Sequence, residues 1–145
     1  MRTSHKEQAL LIQHARQAQR SAYASYSNFH VGAAVMTDEG EIFDGCNIEN
    51  SSYSLTICAE RTAVFKAVSA GKKKFRSIAI TSDDQGFITP CGACRQVLSE
   101  FSPHMEIILT AASGKKKITT LDKLFPTPPD LKKLSRHSSK KNSKK

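Results

Sequence analysis

Apolar positions along the chain change period several times, and each change predicts an element. Leu11, Ala15, Ala18 and Ala22 recur at spacings of four, three and four, which predicts one face of a first helix ending near Ser21. Residues 29–36 are rich in small and β-branched side chains, the turn Asp38-Glu39-Gly40 follows, and 42–48 predict a second strand, so the two read as a hairpin. From Cys58 onward, Ala63, Val64, Ala67 and Val68 have helical spacing, stopped by Gly71 and three lysines. Residues 77–82 predict a buried strand. Pro90 then sits where a first-turn proline belongs, and Cys91, Cys94, Val97, Leu98 and Phe101 line one face of the next helix. Residues 106–110 and 117–121 predict two further strands, and the prolines between 126 and 129 an irregular exit. Strands alternating with helices over this length predict one α/β domain, residues 1–131. Its expected architecture is a three-layer sandwich in which helices cover a mixed β-sheet.

Charge adds less than its total suggests. The chain of 145 residues carries a formal +9, but seven basic residues (Lys132, Lys133, Arg136, Lys140, Lys141, Lys144, Lys145) follow the last acid, Asp130, leaving residues 1–131 at +2. Residues 132–145 contain no aromatic on which a base could stack, and their Ser, Lys and Asn content predicts a solvated, disordered tail. A nucleic-acid partner is therefore expected only weakly and only through that tail, which could also give nuclear access. No apolar run approaches the roughly 18 to 20 residues of a membrane span, and Leu10, Leu11 and Ile12 are too few for a signal-peptide core, so the expected location is cytoplasmic.

The cysteines carry the chemistry. Cys91 and Cys94, in Pro90-Cys91-Gly92-Ala93-Cys94, are three apart at a helix start, so their sulfurs face one point in space. Cys58 opens the other helix, in Cys58-Ala59-Glu60-Arg61. If both helices start at the same edge of the sheet, three thiolates meet with two helix N-termini pointing inward, and those dipoles favour the ionised sulfurs. Three protein ligands leave the fourth position of a tetrahedral zinc open, which separates a catalytic from a closed structural site. Glu60 can approach that position only if Cys58 is the cap and Glu60 lies in the first turn; a carboxylate placed so can shuttle protons. Three thiolates with Zn²⁺ sum to minus one, and Arg61 could offset this by hydrogen-bonding the sulfurs. A P-C-x-x-C arises by chance in roughly one chain of this length in several hundred, and an upstream C-x-E makes coincidence rarer. The alternative, a structural site with a borrowed fourth ligand, finds no finger or ribbon spacing among His5, His14, His30, His104 and His137. Cys46 lies inside a strand pattern and reads as a small apolar residue.

A C-x-E followed by P-C-x-x-C resembles the three-cysteine form of the zinc deaminase signature. Beyond it, residues 25–34, 45–53, 58–63 and 90–97 resemble the small, homotetrameric cytidine deaminases that act on free nucleosides. The resemblance implies one zinc per chain on Cys58, Cys91 and Cys94, Glu60 as the catalytic acid–base, and hydrolysis of cytidine and deoxycytidine to uridine and deoxyuridine with release of ammonia, a reaction of pyrimidine salvage. It also implies that Asn47 and Glu49 bond the ribose 3′-hydroxyl, that Phe29 packs on the pyrimidine, that Ala59 contacts the base through its backbone, and that Ser51 and Tyr53 lie near the 5′ side, in a site a neighbouring subunit completes. Two departures stand out. His30 occupies a position where the family often has proline, and the aromatic that usually follows the family's Leu-Leu-Pro is missing after Leu124-Phe125-Pro126. Competing readings are a nucleic-acid-editing deaminase, a deaminase of a cytosine-containing antibiotic, and a catalytically silent zinc module.

Overall fold

The computed structural model describes residues 2–133. Helix α1 (His5–Gln19) begins at Ser4, whose hydroxyl accepts from the Glu7 amide while the Glu7 carboxylate accepts from the Ser4 amide, a reciprocal cap. Strands β1 (Val31–Thr37) and β2 (Ile42–Cys46) form the expected hairpin. A short 3-10 turn (Tyr53–Leu55) leads to helix α2 (Ala59–Ser69) and strand β3 (Phe75–Ser82). Helix α3 (Gly92–Phe101), strand β4 (Glu106–Thr110), strand β5 (Lys116–Thr120) and the single-turn helix α4 (Leu121–Leu124) complete the domain.

The five strands lie in the order β2-β1-β3-β4-β5, with β3 and β4 parallel and every other pair antiparallel. Strand alternation sorts the core into two layers. Ala33, Val35, Ile78, Ile80, Ile107 and Leu109 face α2 and α3, whereas Ala34, Met36, Ala79 and Ile108 face Leu11 and Ala15 of α1. The mixed, two-sided α/β sandwich is thus as expected.

Four local expectations need correction. Helix α1 ends at Gln19 rather than near Ser21, with Arg20 as its cap, and leaves Ala22 outside the helix face, since Tyr23 already bridges to Ile48. The second strand ends at Cys46 rather than 48, where the chain leaves the β1 ladder. Pro90 precedes helix α3 instead of opening its first turn, since Cys91 is the N-cap with an extended ψ of 168°. Leu121 belongs to α4 rather than to a strand, and it is fully buried in the core. Most of the tail lies outside the described residues; of it, Lys132 pairs with Glu100 of α3 at 3.0 Å.

Two glycines set how closely helices meet the sheet. A Cβ on Gly32 would lie 1.9 Å from the Ala15 carbonyl oxygen, so α1 packs backbone to backbone on β1. A Cβ on Gly45 would lie 2.5 Å from the Ala63 amide and 2.9 Å from the Ala59 carbonyl oxygen. The first turns of α2, which carry Cys58 and Glu60, therefore rest directly on β2. Gly45→Ala is expected to destabilise the fold by about 1–3 kcal/mol and to lower metal content, because α2 must shift as a unit. Denaturant unfolding and metal analysis check this; unchanged values would mean that α2 does not depend on the contact.

Candidate metal centre

Both site helices begin with a cysteine at the cap. Cys58 (φ −76°, ψ 155°) and Cys91 (φ −65°, ψ 168°) have extended backbone, and neither sulfur accepts a capping hydrogen bond from the first-turn amides of its helix. A cysteine cap leaves the first-turn amides of the helix free of a side-chain acceptor, so each helix aims its positive end at the sulfurs. Cys94 lies in the first turn of α3 and is fully buried, Cys58 is half-buried and Cys91 is exposed.

The three sulfurs lie within 4.8 Å of one another, with Cys58 and Cys91 at 3.7 Å. Among the described residues this is the group of cysteine, histidine and carboxylate side chains with metal-ligand spacing, and Cys46 is not in it. Burial pushes the Cys46 thiol up, as befits a small strand residue. At the cluster, hydrogen bonds from Cys94, Arg61 and Cys91 hold the Cys58 thiol down at about 5 against its burial. Cys94 is pushed the other way, first by its hydrogen bond to Cys58 and then by burial. Three sulfurs this close cannot all ionise without a cation among them, and that is the donor set a soft divalent metal requires. The Arg61 Nη2 donates to the Cys58 sulfur at 3.5 Å, so the expected cationic brace is in contact with a ligand.

Among the described residues, Glu60 is the carboxylate that meets the cluster through a hydrogen bond. It lies in the first turn of α2, only 4% exposed, with Oε2 3.7 Å from the Cys94 sulfur. Burial, reinforced by the nearby Cys58 charge, pushes its carboxyl up to about 7. A buried group near neutrality can both take and return a proton. The arrangement of cap and first turn anticipated for the Cys58 and Glu60 pair is therefore present.

The remaining candidates lie on the segments 29–30, 47–53 and the start of α2. Ile48 bridges antiparallel to Ile57, which sets the 47–49 segment alongside the chain entering Cys58. Asn47 accepts from the Val31 amide at 2.9 Å and donates to the Phe29 carbonyl at 2.8 Å, so it fixes the backbone on both sides of His30. Glu49 accepts from the amides of Tyr26 and Ser27 at 2.9 and 3.0 Å and from the Ser27 hydroxyl, and those bonds, the hydroxyl's first, hold its carboxyl low. Phe29 is half-buried and Ala59 fully buried, whereas Ser51 is exposed. Tyr53 packs edge-on against Tyr26 with ring centres 5.9 Å apart. Tyr26, Ser27, Glu49, Tyr53 and Thr56 line an open cavity of about 370 Å³. Tyr26, Ser27 and Thr56 were missed from sequence because no spacing marks them; the fold of the 23–29 and 47–57 segments against each other brings them together.

Residues 5–110 match the family described as the cytidine and deoxycytidylate deaminase zinc-binding region. This chain belongs to that family. A cytidine deaminase of Sporosarcina psychrophila is 50% identical over 117 residues, covering 80% of this chain and 86% of that protein. The crystal structure of cytidine deaminase from Burkholderia pseudomallei superposes with a TM-score of 0.81 at 45% identity, covering 88% of this chain and all of that one. A blasticidin-S deaminase of Bacillus cereus is 37% identical over 105 residues, covering 67% of this chain and 74% of that protein. As in its zinc deaminase family, the cofactor is zinc, and Cys58, Cys91 and Cys94 are the residues placed to hold it.

The zinc-loaded protein is expected to contain about one zinc per chain. Cys58→Ala and Cys91→Ala should lose it, while Cys46→Ala should keep it. Full zinc in either of the first two, or its loss in the third, would contradict the ligand set.

Proposed function

We propose that this protein hydrolyses free cytidine and deoxycytidine to the corresponding uridines and ammonia, with Glu60 carrying the protons. The observation that bears this reading is the buried Glu60 carboxyl beside a three-sulfur metal site, in a chain 50% identical over 117 residues to a cytidine deaminase. Zinc, when bound to the three sulfurs, supplies Lewis-acid activation of water. Glu60 accepts a proton from the attacking water and delivers it to ring nitrogen 3 of the cytosine; it then takes the remaining proton from the new C4 hydroxyl and passes it to the 4-amino group, so that the C4–N bond breaks, ammonia leaves and the uridine carbonyl forms. Arg61 stays charged and offsets the sulfurs' excess negative charge.

The nucleoside is held by groups that have bonding capacity to spare. Asn47 spends one of its two amide donors on Phe29, so the other is available to a sugar hydroxyl. The Glu49 Oε2 accepts from Ser27 alone and can take a second hydroxyl, which suits a ribose 3′-OH. Phe29 offers an aromatic face to the base, Ala59 its backbone, and Ser51 and Tyr53 the 5′ side. Tyr53 and Leu55 are 75% and 68% exposed beside that cavity, an apolar cost that further copies of the chain in a homotetramer would remove while closing the site. No helix among the described residues is long and apolar enough to cross a membrane. The proposed reaction would serve pyrimidine salvage in the cytoplasm.

Glu60→Gln should keep the fold and the zinc but lose turnover by about 10⁴-fold or more, because the amide fills the same volume and cannot accept a proton. The assay is the fall in cytidine absorbance; more than a tenth of normal activity would rule out the role. Deleting residues 132–145 should leave nucleoside turnover nearly unchanged while removing salt-sensitive oligonucleotide retention, since the rest of the chain carries only +2. Run alongside, a cytidine-containing oligonucleotide or blasticidin S deaminated faster than free cytidine would replace this substrate assignment.

A further inference from the structure

The three sulfur ligands are not equally secured. Cys94 is fully buried within α3, and Cys58 is braced by the Arg61 guanidinium at 3.5 Å. Cys91 is exposed, makes no side-chain bond to its helix, and is reached through an irregular segment, 83–91. Near its start that segment is tied by the Ala112 amide, which donates to the Asp84 carbonyl at 2.9 Å. At its far end the ties converge on one residue, Arg95.

Arg95 holds the peptides on both sides of the Cys91 α-carbon. Its backbone amide donates to the Cys91 carbonyl at 2.9 Å. Its side-chain Nε donates to the Pro90 carbonyl at 2.8 Å. With both flanking carbonyls fixed, the φ and ψ of Cys91, and so the direction of its Cα–Cβ bond, have little freedom. The same guanidinium reaches outward: Nη2 donates to the Thr89 hydroxyl at 3.1 Å and Nη1 to the Leu124 carbonyl at 2.9 Å. Leu124 ends α4, which packs on the core through the fully buried Leu121. The planar guanidinium thus locks the approach to Cys91 against a rigid part of the domain.

We propose that Arg95 is a positioning residue for the metal centre: it aims the exposed Cys91 sulfur by clamping Thr89 and Pro90 to the end of α4. It acts through the ligand and not through substrate. This rests on Cys91 being a zinc ligand.

The test uses the full-length zinc protein and the variants Arg95→Met, Arg95→Lys and Gln96→Ala. Gln96 serves as a control, because its side chain on the same helix donates to the Pro129 carbonyl at 3.2 Å, away from the segment that leads into Cys91. The measurements are the rate of zinc transfer to a chromophoric chelator, the thiolate-to-cobalt absorption of the cobalt-substituted protein, the melting temperature of the metal-free protein, and kcat and KM for cytidine. Arg95→Met should transfer zinc about 10- to 100-fold faster, the loss typical of groups that orient a ligand. It should also have an altered cobalt–thiolate band, a lower kcat and an unchanged KM. Arg95→Lys should fall between, since one ammonium cannot replace three fixed donors, and Gln96→Ala should match the parent.

Zinc transfer at the parent rate in Arg95→Met overturns the proposal. So does faster transfer with an unaltered cobalt spectrum and a lowered metal-free melting temperature, which would make Arg95 merely structural. If Arg95→Met does not fold, Arg95→Lys and Thr89→Val decide, and parental zinc transfer in both overturns it. Full zinc in Cys91→Ala would instead defeat the ligand assignment, a separate failure.

Discussion

The contact between α2 and β2 at Gly45 governs where the chemistry of this protein can sit. With no side chain between them, the backbone of α2 lies on the strand, and the cap at Cys58 is held by the Thr62 amide bonding its carbonyl at 3.1 Å. The second half of the site comes from the parallel pairing of β3 and β4. A parallel pair needs a crossover, and α3 is that crossover, so its N-terminus lies near the carboxyl end of β3. Val31 pairs with Ser82, which sets the start of β1, and the Phe29 and Asn47 segment with it, at the same end of the sheet. Two helix starts and the segments carrying Phe29 and Asn47 therefore converge as a consequence of topology.

Electrostatics then explains the residue types at that convergence. Three nearby sulfurs repel one another when ionised, and the domain meets this with two helix N-termini, one guanidinium and a cation site. Glu60 is the opposite case, a carboxyl whose burial withholds water and raises its proton affinity. A group near neutrality in a site with few competing acceptors suits proton transfer in both directions.

Asn47 and Glu49 act on the backbone of the neighbouring segment. Asn47 and Glu49 make bonds that shape the backbone at Phe29 and at Tyr26-Ser27, and they keep lone pairs or donors in reserve. Asn28, between those segments, has a positive φ of 53°, a conformation its short polar side chain tolerates. The residues proposed to bind the sugar thus also hold the backbone around Phe29, so under that proposal little reordering would be needed on binding. His30 fits this arrangement: its amide and ring both meet Asp83, at 2.8 and 2.7 Å, which anchors the loop by hydrogen bonding where a proline would have stiffened the chain.

Much of this could be read from the chain alone. Small and β-branched residues on either side of a turn predicted the hairpin, a short apolar run the strand at 77–82, spacings of three and four the helices, and cysteine spacing the metal site, because these signals act over distances of a few residues. The cap position of Cys58 and the first-turn position of Glu60 also followed from local geometry, since only one placement lets residues two apart reach a common point. Boundaries at Ala22, Pro90 and Leu121 did not: each depends on what the chain packs against after its periodicity ends. The same holds for Ser27 on Glu49, for Arg95 on Pro90 and Leu124, and for His30 on Asp83. These pairs are 22, 5, 29 and 53 residues apart, and no repeating pattern encodes them. Sequence determined which side chains could do the chemistry, through short-range periodicity and spacing; tertiary structure decided which backbone groups hold them in place, because a hydrogen bond between distant segments exists only once the sheet has brought them together.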